Sequence, residues 1–352
     1  MSCEVVVTGA SYVSENDVDP AFGNTDIAGL DFASQIPNRS DKRAQGLSQQ
    51  LACYVAGLAL DQSGLKNAPD ILEYTDILVA TAGGERDEAR DRDLLEQLGV
   101  ENPDFANVNR ELSNLRPSLF LAMLQNLFAA NISIVFGILG SSVTFMGETL
   151  AGSQAIDEAR KRIASGRSKV AVVGGVFNGN RDDIKSIHAL TMRDPSHAAK
   201  SGGCPNGLGV GSGFVVLESK EHALARHARI LAELDTVSFF LMEDLEDWSK
   251  NRLDDVSMLL TDFAGPNGEI DAGRSGAPSL PTVNLSGSTG SLMEASMPLS
   301  LAVAVSSLQD GRPFRLSEPH PSEESEHPDT RSRGIGIICA GPGRHAAALS
   351  IH

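Results

Sequence analysis

Short β-branched runs that end in glycine recur along this chain, each alternating with a stretch of helical spacing. Residues 4–8 run into Gly9, residues 76–81 into Gly83-Gly84, and residues 169–173 into Gly174-Gly175. Runs of that length and composition predict buried strands. Between them, residues 44–64 have helical spacing and stop at Gly64, a C-cap residue, and a helix over 152–165 is closed by Gly166. GLGVGSGFVVL at 207–217 joins glycines to a strand, residues 221–229 predict a helix, and residues 230–237 a strand. The C-terminal part repeats the grammar: strand at 256–261, apolar helix at 293–308, strands at 335–339 and 346–351. Such alternation in two halves predicts an α/β protein with buried sheets. A length of 352 residues accommodates two domains or one duplicated unit.

Charge narrows the partners. With 46 acidic against 29 basic residues the formal charge is -17, which excludes a generic binder of nucleic acid or of anionic membrane. Aromatic residues are 5% and glycines number 34, which suits a small-residue α/β core better than an aromatic-rich β-sandwich. Cys3, Cys53, Cys204 and Cys339 are too far apart for CxxC or metal-ligand spacing. Free thiols of a reducing, cytoplasmic setting are therefore expected. The opening MSCEVVVTGAS lacks a basic region followed by a long apolar stretch, so no signal peptide is expected. No charged residue lies between Arg116 and Glu148, yet Gln125, Asn126, Asn131 and Ser133 interrupt the apolar run. A membrane span needs about 20 predominantly apolar residues, so the expectation is a buried helix over 117–130 and a strand over 131–136. Residues 14–42 read as an irregular connection, 85–115 as an exposed excursion and 317–333 as a surface loop.

Several familiar chemistries are absent. A dinucleotide site needs further glycines after the first turn, where this chain has Tyr12, Val13, Ser14 and Glu15. GLGVGSG precedes a strand rather than a helix, so it is no phosphate loop, and there is no GxSxG elbow. The eight histidines never sit three or four apart on one face. Neither metal nor cofactor is expected.

The segment ANISIVFGILGSSVTFMGETLAGSQAIDEARKRIASGRSKVAVVGG, residues 130–175, resembles the β-ketoacyl synthase family of the thiolase superfamily. That family carries a strand-turn, a nucleophilic Cys at a strand-to-helix elbow, a helix followed by glycine, and a V..GG strand. Further stretches agree in order: VVVTG at the start, Asp61-Gln62-Ser63-Gly64-Leu65, GVGSGFVVLES at 209–219, STGSLMEASMPLSLAVAVSSLQDG at 288–311, and GPGRHAAALSI near the end. The resemblance covers nearly the whole chain, with deletions near 14–38 and 262–282. It implies a thiolase fold, two similar halves in five layers αβαβα, divided into residues 1–236 and a shortened 237–352.

The departures from the family pattern concern its chemistry. In a working synthase a Cys takes the acyl chain, two His stabilise enolate and oxyanion, and a Lys orders the site. At the matching positions stand Thr149, Asp262, Ser286 and Ser291, the second being the least securely aligned. The family's Gly-Phe-Gly-Gly is Gly341-Pro342-Gly343-Arg344, so the gating Phe is Pro342. A hydroxyl nucleophile at Thr149 needs an adjacent general base, and Glu148 serves only if burial raises its pKa.

Gly147-Glu148-Thr149 resembles the chain-length-factor branch, whose inactive subunits often carry Glu-Gln where synthases carry Ala-Cys. What the resemblance implies is a non-catalytic subunit that pairs with an active ketosynthase and receives substrate on an acyl carrier protein. The pathway would make polyketides, aryl polyenes or unusual fatty acids. Family dimers form across the strand before the elbow, here within 131–147. Ile134, Phe136, Phe145, Met146 and Glu148 are the candidate interface and tunnel residues. Two alternatives stay open: a hydrolase or decarboxylase using Thr149 and Glu148, and a homodimeric binding or scaffold protein.

Overall fold

Six strands form the first sheet: β1 (Val5–Ser14), β2 (Asp76–Thr81), β3 (Ser142–Phe145), β4 (Val170–Asn178), β5 (Val210–Ser219) and β6 (Ala232–Glu233). Their order is β3-β2-β4-β5-β1-β6. The computed structural model describes residues 3–16, 25–100, 102–113, 119–193, 207–245, 256–263, 280–310, 334–340 and 345–352. β2 and β4 are buried at every position, as near-continuous apolar strands must be when both faces of a sheet are covered. The second sheet holds β7 (Ser238–Leu241), β8 (Val256–Phe263), β9 (Thr282–Asn284), β10 (Gly334–Ala340) and β11 (His345–Ile351), in the order β7-β11-β10-β8-β9.

The two sheets share one plan. In the first, β3, β2 and β4 run parallel, and β5 and β1 follow antiparallel. In the second, β9, β8 and β10 run parallel, and β11 and β7 follow antiparallel. Strand for strand, β1–β5 therefore correspond to β7–β11, the mark of a duplicated unit.

Helices fill the space this leaves. On the outer face of the first sheet, α1 (Leu47–Ser63) and α2 (Leu127–Phe136) bury Leu51, Val55, Leu60, Phe128 and Ile132 against Val79, Val172 and Val216. Between the sheets lie α3 (Thr149–Ala164) and α4 (Ser296–Asp310), one from each half. Their Ile156, Ala159, Ile163, Leu301, Val303 and Val305 share one core with Val173 and Leu217 of the first sheet and Leu260, Ile337 and Leu349 of the second. Burial of a side chain of this size stabilises by about 1.5–3 kcal/mol. On the far face of the second sheet Leu245 packs with Val256, Leu259, Ile338 and Ala348.

Several sequence expectations hold. α1 ends at Gly64, whose φ of 74° is the left-handed C-cap conformation, and α3 is followed by Gly166 at φ 75°. The strand expected over 131–136 is instead the second half of α2. The strand before the elbow is β3, Ser142–Phe145. The helix expected over 117–130 is a short turn, Leu119–Ala122, followed by α2. The excursion at 85–115 folds into the helices Glu88–Leu98 and Phe105–Ser113. The strand expected over 230–237 reduces to β6. The surface loop read at 317–333 lies outside the described residues.

Candidate elbow site between the two central helices

β3 passes into α3 through Gly147 and Glu148, and Thr149 is the first residue of the helix. Glu148 has φ 56° and ψ -144°, a backbone state that L-residues rarely adopt. Such a residue costs on the order of 1–3 kcal/mol and persists only where its surroundings over-determine it. Among the described residues the non-glycine positive-φ positions are Glu148, His227 and Met293, and two of the three meet here. Glu148 N–H donates to Glu294 Oε1 at 3.1 Å, and Thr149 Oγ1 lies 3.9 Å from Met293 Sδ. The turn Met293–Ala295 reaches the elbow because two glycines make room for it. A Cβ on Gly152 of α3 or on Gly175 of β4 would come within 2.6 Å of the Glu294 carbonyl oxygen.

The two glutamates at the elbow differ in environment. Glu148 is exposed, whereas Glu294 is 6% exposed. Burial first, and the Glu148 charge as a lesser cause, push the Glu294 carboxyl above its ordinary range, against backbone hydrogen bonds that act the other way. The condition set for Glu148 as a base, burial, is therefore not met there, and the buried carboxyl at the elbow is Glu294, which the sequence did not single out. Its signal was a lone charge inside the apolar run LMEASMPLSLAVAV.

A second polar group sits at the end of β8. Asp262 is 2% exposed, and burial pushes its carboxyl up to about 6 against hydrogen bonds from Ser296 and Ser286. Cys339 faces it in register on β10. Burial, and then the Asp262 charge, raise the Cys339 thiol well above its usual value, so it is no thiolate. Ser286 Oγ donates to Asn284 Oδ1 at 2.9 Å. Ser291 N–H donates to Gly207 O and Gly209 N–H to Ser291 O, both at 2.9 Å, which ties the start of β5 to the second half. Thr149 thus groups with Met293 and Glu294, and Asp262 with Ser286 and Ser296. Pro342 lies outside the described residues.

The interface candidates separate as well. Ile134 stands on α2, 65% exposed, and Met146 is 44% exposed at the end of β3. Phe145 is half-buried against the central core. Phe136 is 8% exposed in the core between α2 and α1, its ring 2.7 Å from where a Gly57 Cβ would stand. β3 pairs with β2 and is the terminal strand of its sheet.

A hydroxyl nucleophile needs a base within hydrogen-bond reach. The imidazoles with hydrogen-bond partners among the described residues are elsewhere: His222 with Glu218 and Tyr74, and His352 with Asp235. Among the described residues no three His, Cys, Asp or Glu side chains are gathered to hold a metal ion, and no helix is long and apolar enough to cross a membrane.

Residues 14–223, more than half of the chain, match the family model for the N-terminal domain of β-ketoacyl synthases. The chain belongs to the β-ketoacyl synthase family. It is 27% identical over 223 residues to 3-oxoacyl-[acyl-carrier-protein] synthase 2 of Vibrio harveyi, covering 60% of this chain and 51% of that protein. It is 36% identical over 109 residues to nodulation protein E of Rhizobium leguminosarum bv. trifolii, covering 30% and 27%. The chain thus spans about half or less of the curated relatives it matches. Solved structures extend the likeness of fold to the full length. A type II polyketide ketosynthase in complex with its acyl-carrier protein superposes with a TM-score of 0.71 at 20% identity, covering 99% of each chain. The ishigamide ketosynthase/chain length factor gives 0.70 at 18% identity, covering 100% of this chain and 99% of that one. The fold is that of the thiolase superfamily.

Proposed function

We propose that this chain is a non-catalytic ketosynthase-like subunit of the chain-length-factor type. It pairs with an active ketosynthase that works on acyl groups carried by an acyl carrier protein. One observation carries this: the elbow has a strained backbone, while among the described residues the partner of the side chain it presents, Thr149, is the Met293 thioether. Among the described residues no thiolate, imidazole or ammonium is recorded in contact with Thr149, and an elbow without one has no means of forming a thioester or stabilising an enolate. The structure of the nucleophile turn is maintained and its chemistry is not.

The division into halves at residues 236 and 237 belongs to the same reading. The placement of β1–β6 in one sheet and β7–β11 in the other supports it. β3 ends its sheet, with the exposed Ile134 and Met146 near it, which supports an interface on this side. Phe145 and Met146 stand between that edge and the elbow, where a partner's acyl chain would be bounded.

Co-expression with an active ketosynthase tests the pairing. A complex of one copy of each chain by native mass is expected. A homodimer that leaves the ketosynthase unbound would contradict it.

A further inference from the structure

The N-terminus of one central helix meets a buried carboxyl that comes from just before the other. α3 starts directly after the strained Glu148, and α4 starts at Ser296, two residues after Glu294. Glu294 Oε1 accepts the Glu148 N–H at 3.1 Å. Its second oxygen, Oε2, is buried and has no hydrogen-bond partner among the described residues. The first amides of a helix lack intrahelical acceptors and carry the positive end of its dipole, which is why small anions settle there. At this elbow the chain supplies the carboxyl itself, from 146 residues away.

We infer that the Glu294 side chain is an internal ligand: it fills a carboxylate-binding site at the start of α3 that accepts a small carboxylate from solution once the side chain is removed. The neighbouring groups agree with this. Gly147 and Glu148 are exposed, so the site has a route to solvent beside the elbow. The charge of Arg181 favours an anion at Glu294, while burial and the charge of Glu148 oppose it. Glu294 is also held from behind, since its backbone oxygen is wedged where Gly152 and Gly175 leave no room for a Cβ. The consequence rests on the proposed function: a donor already taken by Glu294 is not offered to a substrate oxyanion, which gives the silent elbow a physical cause.

Chemical rescue tests the site in the isolated full chain. Thermal unfolding of wild type, Glu294→Ala and Glu294→Gln is compared in sodium acetate and in sodium chloride at equal ionic strength. Glu294→Ala should melt below wild type, and acetate should raise its Tm saturably above the chloride value. Wild type should show no acetate-specific shift, and neither should Glu294→Gln, which keeps an acceptor for the Glu148 N–H. An absent acetate-specific shift in Glu294→Ala, or an equal shift in wild type, overturns the inference. Should Glu294→Ala fail to fold, Glu294→Asp serves, because it is one methylene too short to reach the same N–H. Hydrogen exchange of the amides at 147–149 should then be faster than in wild type, and an unchanged rate overturns the inference. Neither readout involves a ketosynthase, so this result is separate from any test of pairing.

Discussion

The hydroxyl of Thr149 meets a thioether: Oγ1 lies 3.9 Å from Met293 Sδ, and the residue is 3% exposed. Sulfur is a weak acceptor and no base. Thr149→Cys alone should therefore restore no condensation, because among the described residues no imidazole or ammonium is recorded beside the new thiol to hold it as thiolate. The check is carbon–carbon bond formation from malonyl- and acyl-carrier protein, together with intact mass for an acyl adduct. Sustained product formation by this single variant would contradict the reading of the site.

Asp262 gives a pH signature. Burial raises its carboxyl to about 6 from 3.8, so the folded chain binds this proton more tightly than the unfolded chain. The contribution is fully present below the unfolded value and is lost as pH rises through about 6. Asp262→Asn removes that titration while keeping an acceptor for Ser286 and Ser296. Relative to wild type, the variant should gain up to about 3 kcal/mol between pH 4 and pH 7.5 in urea unfolding. A difference independent of pH would contradict it.

Glu218 behaves in the opposite sense. It is fully buried on β5 and accepts from Thr8 Oγ1, from Arg226 Nε at 2.8 Å and from Arg226 Nη2, and pairs with His222 Nδ1 at 2.6 Å. Burial raises its carboxyl, but the Arg226 and Thr8 hydrogen bonds and the Arg226 charge outweigh it and hold the carboxyl below its ordinary range. Its contribution is present at neutral pH and lost as pH falls through that lowered value. Glu218→Gln should cost about 3–5 kcal/mol at pH 7, since it leaves the Arg226 guanidinium without its charge partner. A cost below about 1 kcal/mol by urea unfolding would show that the network is not coupled.

Ile134→Arg separates interface from core. The side chain is 65% exposed on α2, so the isolated chain should keep its Tm. Its complex with the ketosynthase should dissociate by size-exclusion chromatography. An unchanged complex would remove α2 from the interface.

Truncating Phe145 or Met146 to alanine should lengthen the product of the co-expressed pair, because each carbon of acyl chain newly buried is worth about 0.8 kcal/mol. Identical product lengths by mass spectrometry would restrict the subunit to structural support.

Much of the fold was legible because its strands are unusually plain. β4 and β5 are apolar runs whose glycines mark close packing against the other half, as where Gly213 would bring a Cβ within 2.3 Å of Leu299. Residues 131–136 misled because Ile132, Ile134 and Phe136 alternate with period 2. In the helix, Ile132 and Phe136 stand four apart and face the core, and Ile134 points out. The elbow at Gly147-Glu148-Thr149 was legible through the resemblance to the family's strand-to-helix turn. Glu294 stood out only as a lone charge in an apolar run, because its role depends on a turn that brings residues 146 apart into one hydrogen bond, and local spacing does not show that partner.

Catalytic silence is tested most directly by condensation of malonyl- with acyl-carrier protein by three preparations: this chain alone, an active ketosynthase alone, and the co-expressed pair. The expected result is sustained product from the pair only, with the acyl adduct on the ketosynthase and none on this chain. Turnover by this chain alone that Thr149→Ala abolishes would contradict it.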